Sequence, residues 1–247
     1  MKKNHFLSVF FAGLFCAMTF GICGCSNNKG NGGDVEPSKE EQVLKDKTFI
    51  FLGSSVTYGT ASGGWSMCDY LVENCESTVY KWAVGGTTLV TSSENNYIQR
   101  MQNNAHTVTK ADQFVCQLST NDAGLNKPLG EVSNFFDITK FDTTTVIGAM
   151  EYIIAFVQEQ WDCPVSFYTG TYFENENYQN MVDALKQLRR KWGIGIINLW
   201  EDEQMLAVIA NQELYNSYMS DPIHPTKLGY EEWWGPKFEQ YFLALYS

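Results

Sequence analysis

The chain has 247 residues, of which 44% are hydrophobic and 15% aromatic, enough for one domain with a substantial core and a terminal tail. Its 17 Lys and Arg residues face 28 Asp and Glu residues, so the formal net charge is −11. An acidic chain with no basic stripe and no Gly-rich phosphate loop does not suit nucleic acid, because phosphate contacts require basic side chains.

The N-terminus has the features of an export signal. Two lysines precede an apolar stretch over Phe6–Ile22, and the sequence Ile22-Cys23-Gly24-Cys25 follows. This sequence resembles a bacterial lipobox, in which a small residue precedes a cysteine that is lipidated after cleavage. We therefore expect residues 1–24 to be a lipoprotein signal peptide and Cys25 to anchor the protein in the membrane at the bacterial cell surface. The alternatives are an ordinary signal peptide and an uncleaved anchor helix.

The residues after Cys25 are expected to keep the folded domain clear of the membrane. Ser26–Asp34 is rich in Gly and Asn, and Glu36–Lys47 is charged. We predict that residues 25–47 form a flexible tether and that residues 48–247 form the folded domain.

The first predicted strand, Phe49–Leu52, is an unbroken apolar run that Gly53 ends. Such a run is typical of a strand buried on both faces of a sheet. Ser54 and Ser55 follow at once, so two hydroxyls lie just past the carboxyl end of this strand. They are either candidate reactive groups or the caps of a Ser-rich turn.

Patterns typical of helices and of buried strands then alternate along the chain. The predicted elements, in order, are a helix over Trp65–Asn74, a strand over Thr78–Val84, a helix around Glu94–Asn104, a strand over Asp112–Leu118, a helix over Thr143–Gln160, a strand over Pro164–Thr169, a helix over Tyr178–Trp192, a strand over Ile194–Leu199, a helix over Asp202–Ala210 and a largely helical segment over Thr226–Tyr246. Between two of them, Ala123–Asp142 is predicted to be an irregular loop that overhangs the same sheet edge as Ser55.

This alternation predicts an α/β fold, a three-layer α/β/α sandwich with about five parallel strands. Right-handed crossovers place every strand-to-helix turn at one edge of the sheet. Ser55, Gly86 and Asn121 each lie just past a predicted strand. We therefore expect them to converge at that edge, where open α/β sheets bind ligands.

His224 is the candidate general base. It lies in the sequence DPIHP, residues 221–225, whose two prolines stiffen the loop. Asp221 precedes His224 by three residues, so its carboxylate can reach the imidazole Nδ1–H and fix the tautomer of a base. The alternative is a loop histidine with an aspartate that caps the next helix, but Thr226 is better placed as that cap.

Acyl transfer also needs donors for the negative oxygen of its intermediate. Three are available at the converging strand ends, namely the backbone N–H groups of Ser55 and Gly86 and the side-chain amide of Asn121. Glycine at position 86 lets a ligand approach the backbone with no Cβ in the way. Asp122, beside them, is predicted to be structural and to bind backbone N–H groups.

Four sequence blocks together resemble the SGNH hydrolases, also called GDSL-type esterases and lipases. They are GSSVTYG at residues 53–59, AVGGTT at 83–88, STND at 119–122 and DPIHP at 221–225. They occur in the family's order and span the chain from about Thr48 to the C-terminus. The chain departs from the usual pattern at Ser54, where aspartate is usual, at Ser119, where glycine is usual, and in the second block, which lacks its usual asparagine.

The resemblance implies a flavodoxin-like fold and a serine esterase that needs no metal and no cofactor. It implies Ser55 as nucleophile, His224 and Asp221 as the rest of a triad, and Gly86 and Asn121 as oxyanion donors with Ser55. We predict hydrolysis of short-chain esters such as acetyl esters, on a small molecule or on an O-acetylated polysaccharide. The rival activity is a lysophospholipase or thioesterase with an apolar trough under Phe135 and Phe136. A non-catalytic, glycan-binding surface lipoprotein is the third possibility.

Overall fold

The computed structural model describes residues 43–247, so the predicted signal peptide, Cys25 and most of the tether lie outside the described residues. The strands are β1 (Thr48–Gly53), β2 (Thr78–Ala83), β3 (Gln113–Gln117), β4 (Val165–Tyr168) and β5 (Gly195–Ile197). All pair in parallel, in the order β2-β1-β3-β4-β5. This is the flavodoxin-like order, and it puts a switch point between β1 and β3.

Helices fill the connections between the strands. They are α1 (Ser55–Tyr58), α2 (Met67–Cys75), α3 (Tyr97–Asn104), α4 (Thr120–Gly124), α5 (Val146–Trp161), α6 (Glu176–Trp192), α7 (Glu203–Ala210), α8 (Gln212–Tyr218), α9 (Lys227–Gly229) and α10 (Gly235–Tyr246), with a π-helical turn at Tyr230–Trp234 before the last of them. Helix α8 is new relative to the sequence prediction, which left these residues without an element. Within residues 43–247, no helix has the length and apolarity needed to cross a membrane.

The sheet divides the interior into two cores, as a three-layer sandwich requires. On β1, Ile50 and Leu52 face the core shared with α3, α5 and α6. Phe49 and Phe51 face the other core, shared with α2 and α10. Because successive side chains of a strand point to opposite faces, one uninterrupted apolar run supplies both cores. The predicted three-layer α/β/α fold with five parallel strands is confirmed.

The folded domain begins before the predicted boundary at Thr48. Leu44 is buried in the core beside α2, and its carbonyl accepts a hydrogen bond from the Ser77 hydroxyl. The backbone N–H of Asp46 donates to the carbonyl of Glu76. Residues 43–47 are therefore packed onto the domain and are not part of a tether.

The segment after α4 leaves and returns at the carboxyl end of the strands, and its middle packs against α5 and α6. Phe135 and Phe136 pack with Phe141 and Trp192, and the Lys191 ammonium lies over their rings. Trp192 is the last residue of α6, and Glu151 lies in the second turn of α5, so the cluster bridges these two helices. An ion pair of Lys191 with buried Glu151 holds the segment there. The two rings suggested for an apolar trough are therefore packed against Phe141, Trp192 and Lys191.

Candidate active site

Ser55 lies at the start of α1, directly after β1. A Cβ at Gly53 would clash with the Thr57 side chain, so glycine is needed where the strand turns into the helix. The Tyr230 hydroxyl donates to the Val56 carbonyl at 2.7 Å and ties α1 to the C-terminal helices. Because Ser55 is the first residue of its helix, its N–H has no acceptor within that helix.

The structure brings Ser55, His224 and Asp221 into one hydrogen-bonded chain. His224 Nε2 lies 2.8 Å from Ser55 Oγ, and His224 Nδ1 lies 2.7 Å from Asp221 Oδ2. A carboxylate can only accept, so the Nδ1 proton is directed to Asp221 and the Nε2 lone pair is directed to the Ser55 hydroxyl. This is the arrangement in which an imidazole can remove the serine proton.

Asp221 also organises the loop that carries the histidine. Its Oδ1 accepts the N–H groups of Ile223 and His224 at 2.8 and 2.9 Å. Partial burial acts to raise the pKa of Asp221, but the hydrogen bonds from the His224 ring and these N–H groups lower the pKa below its ordinary value. Asp221 thus remains an anion facing the imidazole. The Thr226 hydroxyl accepts the Gly229 N–H, which confirms Thr226 as the helix cap.

Gly86 and Asn121 lie where the sequence placed them, at the ends of the strands that flank β1. A Cβ on Gly85 would lie 3.8 Å from the Ser55 Cβ, so the turn after β2 packs directly against the serine. Gly86 has a φ of 76°, which favours glycine, and a Cβ there would meet no heavy atom within 4 Å. Asn121 Nδ2 donates to the Thr87 carbonyl at 2.9 Å, which leaves its second amide hydrogen for a ligand.

Asp122 has the structural role predicted for it. It is buried, and its carboxylate accepts the N–H groups of Leu89 and Val90 at 2.8 and 3.3 Å. Burial raises its pKa, although hydrogen bonds from Ser119, Leu89 and Val90 act in the opposite direction. The residue therefore ties the loop after β3 to the loop after β2.

Gln117 is a residue of this site that the sequence analysis missed. Its Oε1 accepts the Ser54 N–H and the Thr57 hydroxyl, each at 2.8 Å, beneath Ser55. The Ser54 hydroxyl lies 3.3 Å from the same oxygen, and Tyr168 OH lies 2.6 Å from Thr57 Oγ1. Here a neutral amide gathers the backbone and hydroxyl donors around position 54, where a relative with aspartate would have a charge.

Replacing Gln117 with methionine should therefore destabilise the fold and impair the site together. The Ser54 N–H would lose its acceptor in a buried position, which costs about 1–3 kcal/mol. A shifted α1 should lower kcat at least about tenfold. Urea unfolding and ester turnover measure the two effects.

Gln113 provides the matched control for that variant. It is equally buried at the opposite end of β3 and donates to Ser166 Oγ at 2.9 Å. Gln113→Met should lower stability similarly while leaving kcat within about twofold. Full kcat in Gln117→Met would show that the amide does not position Ser55.

Metal ligands are not gathered at this site. In the part of the chain that the structure describes, no group of three or more His, Cys, Asp or Glu side chains is arranged to hold a metal ion. The chemistry available from the residues present is proton transfer by an imidazole, attack by a hydroxyl and stabilisation of an anion by N–H donors.

A family model and several solved structures match this chain. The sequence model of the GDSL-like lipase/acylhydrolase family matches residues 51–232. No curated protein matches the chain significantly. Among solved structures, a protein from Lactobacillus plantarum is 20% identical with a TM-score of 0.67, and the alignment covers 83% of this chain and 99% of that one.

Two further solved structures resemble the chain. An acetyl xylan esterase is 16% identical with a TM-score of 0.58, covering 78% of this chain and 98% of its own. A family two carbohydrate esterase from Clostridium thermocellum, in complex with cellohexaose, is 12% identical with a TM-score of 0.55, covering 81% and 65%. At these identities the likeness shows a shared fold.

Proposed function

The chain belongs to the GDSL-like lipase/acylhydrolase family, and from this premise we propose that it hydrolyses short-chain esters, above all acetyl esters, through an acyl-enzyme on Ser55. Family membership makes it a serine hydrolase that acts on esters. The observation that carries the proposal is the continuous contact from Ser55 Oγ through the His224 ring to Asp221, at 2.8 and 2.7 Å.

The proposed mechanism has two halves. His224 Nε2 takes the Ser55 proton while Ser55 Oγ attacks the ester carbonyl carbon, and the resulting oxyanion lies among the N–H groups of Ser55 and Gly86 and the amide of Asn121. The protonated imidazole, supported by Asp221, then gives its proton to the departing alcohol. Water attacks the acyl-enzyme with His224 again as base, and the free acid leaves.

Two features favour a short acyl group carried on a large or polar alcohol. His224 is 24% exposed and Asp221 47% exposed, so the pair is accessible from outside. Phe135 and Phe136, suggested as the walls of a long-chain trough, instead pack with Phe141 and Trp192. An open site without that trough suits an acetyl group on a polymer better than a long acyl chain.

A carbohydrate alcohol is the proposed leaving group. Tyr58 on α1 and Tyr172 after β4 are 46% and 44% exposed at the Ser55 edge, where their rings can stack on sugar faces. Two proteins of the same fold are, by their descriptions, an acetyl xylan esterase and a carbohydrate esterase. We propose O-acetylated polysaccharide as the substrate class.

The cellular location is proposed from the sequence alone. The lipobox-like sequence at Ile22–Cys25 would place the enzyme on the bacterial cell surface, anchored through a lipid on Cys25. Such a location gives an esterase direct access to extracellular polysaccharide.

The test is a series of p-nitrophenyl esters with acetyl, butyryl and octanoyl groups, together with acetate release from acetylated xylan. We expect kcat/KM to fall about tenfold or more from acetyl to octanoyl, because extra methylenes find no apolar pocket. The hydrolysis rate measured with Ser55→Ala is the background for each ester. A kcat/KM that rises with chain length would favour the lysophospholipase or thioesterase alternative instead.

A further inference from the structure

Arg100 is a buried cation beneath the Ser55 edge. It lies on α3 and is 8% exposed. Its NH1 group donates to the Gly53 carbonyl at 2.9 Å, and its NH2 group donates to Thr87 Oγ1 and to the Asn95 carbonyl, each at 2.8 Å. One guanidinium therefore joins the end of β1 to the loop that follows β2.

All three acceptors are neutral. Across residues 43–247, no carboxylate forms an ion pair with Arg100, and its buried Nε has no hydrogen-bond partner. Taking a charge out of water without a counter-ion costs free energy, which the three hydrogen bonds of the guanidinium offset only in part. The position of this charge, rather than its contribution to folding, needs an explanation.

The guanidinium contacts the segments that carry two of the three proposed oxyanion donors, Ser55 and Gly86. Gly53 precedes Ser55 by two residues, and Thr87 directly follows Gly86. The Thr87 hydroxyl accepts from Arg100 and donates to the Val84 carbonyl at 2.7 Å, which closes the turn that contains Gly86. The carbonyl of Thr87 also accepts the amide of Asn121. Arg100 thus lies behind the oxyanion donors and is linked to them through Thr87 and Gly53.

We infer that Arg100 is a positioning residue of the ester hydrolysis, which fixes the Gly86 turn against Ser55 through Thr87 and favours the oxyanion through its uncompensated positive charge. This inference rests on the proposed function, because it assigns Arg100 to the oxyanion of that reaction. The charge adds no ground-state contact with the ester. Its effect grows as negative charge develops on the carbonyl oxygen, so it acts on kcat more than on KM.

The test compares Arg100→Met, which removes the charge, with Arg100→Lys, which keeps it without the two-pronged geometry. For p-nitrophenyl acetate we expect Arg100→Met to lower kcat about 100-fold with KM changed less than about threefold. The kcat of Arg100→Lys should be about tenfold higher than that of Arg100→Met. The inhibition constant of an arylboronic acid, which forms a tetrahedral anion on a reactive serine, should weaken in parallel with kcat.

Two further variants complete the test. Arg190→Met removes an exposed arginine from the last turn of α6, at the far end of the sheet, and should leave kcat unchanged. Thr87→Val removes the linking hydroxyl at nearly constant volume and should give the same selective loss of kcat. If Arg100→Met does not fold, the kcat of Thr87→Val tests the inference in its place.

The outcomes separate the inference from the function on which it rests. A wild-type chain without Ser55-dependent turnover would overturn both. An active wild type with unchanged kcat in folded Arg100→Met, or in Thr87→Val where Arg100→Met does not fold, would overturn the inference alone. A fall in kcat with unchanged affinity for the boronic acid would also overturn the inference, because Arg100 would then have only a structural role.

Discussion

Ser55→Ala is expected to lower kcat for p-nitrophenyl acetate by about 10⁴-fold or more, because it removes the hydroxyl that is placed to attack the ester with a base in contact. Ser55 Oγ makes its hydrogen bond to a partly exposed imidazole, so the variant should unfold at nearly the wild-type urea concentration. Initial rates at saturating ester, corrected for hydrolysis without enzyme, measure the loss.

Ser54→Ala is the matched control for that variant. Ser54 is the adjacent hydroxyl and is fully buried, but its Oγ faces Gln117 at 3.3 Å and not the histidine. We expect it to keep at least about a tenth of wild-type kcat, since only a long hydrogen bond is lost. Equal losses in the two variants would contradict the assignment of Ser55 as nucleophile.

Asp221→Asn is expected to lower kcat by about 10³- to 10⁴-fold. The asparagine Oδ1 can still accept the N–H groups of Ile223 and His224, so its NH₂ group would face His224 Nδ1. Nδ1 must then be the acceptor, which leaves the imidazole proton on Nε2 and directs it at Ser55. A histidine in that tautomer cannot take the serine proton, so the loss should fall on kcat while the loop keeps its shape.

Asp202→Asn provides the control for this change of charge. Asp202 likewise accepts two backbone N–H groups with one oxygen, at the start of α7, but its other partner is Lys237 instead of a histidine. The kcat of Asp202→Asn should stay within about twofold of the wild-type value. If Asp221→Asn also stayed within about tenfold, the carboxylate would not be setting the tautomer of His224.

The fold could be predicted from the sequence because its signals are local. Each strand is a short apolar run bounded by turn residues, and parallel strands bring their carboxyl ends together whatever the sequence between them. Asp221 and His224 are three residues apart, so their contact is also local. The contact between Ser55 and His224 spans 169 residues, and the resemblance to the SGNH hydrolases is what predicted it.

Gln117 and Arg100 were missed for a different reason. Both are buried polar residues whose partners are backbone groups distant in sequence, such as the carbonyl of Gly53. Arg100 follows Tyr97 by three residues and so shares the inward face of α3 with it, which is the signal that could have identified it. Gln117 ends a strand that is otherwise buried on both faces, where a polar side chain requires a buried partner.

The course of Ala123–Asp142 could not be predicted because tertiary contacts decide it. A loop after a strand end starts at the Ser55 edge, and its length allows it either to stay there or to leave. The choice is made by Lys191, which pairs with Glu151 and lies against the rings of Phe135 and Phe136. Lys191 lies 40 residues from Glu151 and 56 from Phe135 in the sequence, so no local pattern marks the contact.

Covalent labelling tests whether Ser55 is a nucleophile activated by His224. The purified chain is treated with an alkyl fluorophosphonate, digested and analysed by fragment-resolved mass spectrometry, which distinguishes Ser55 from Ser54. We expect one adduct, on Ser55, that forms as ester turnover is lost and is absent from Ser55→Ala. No adduct, or loss of turnover with the label on another residue, would contradict the claim.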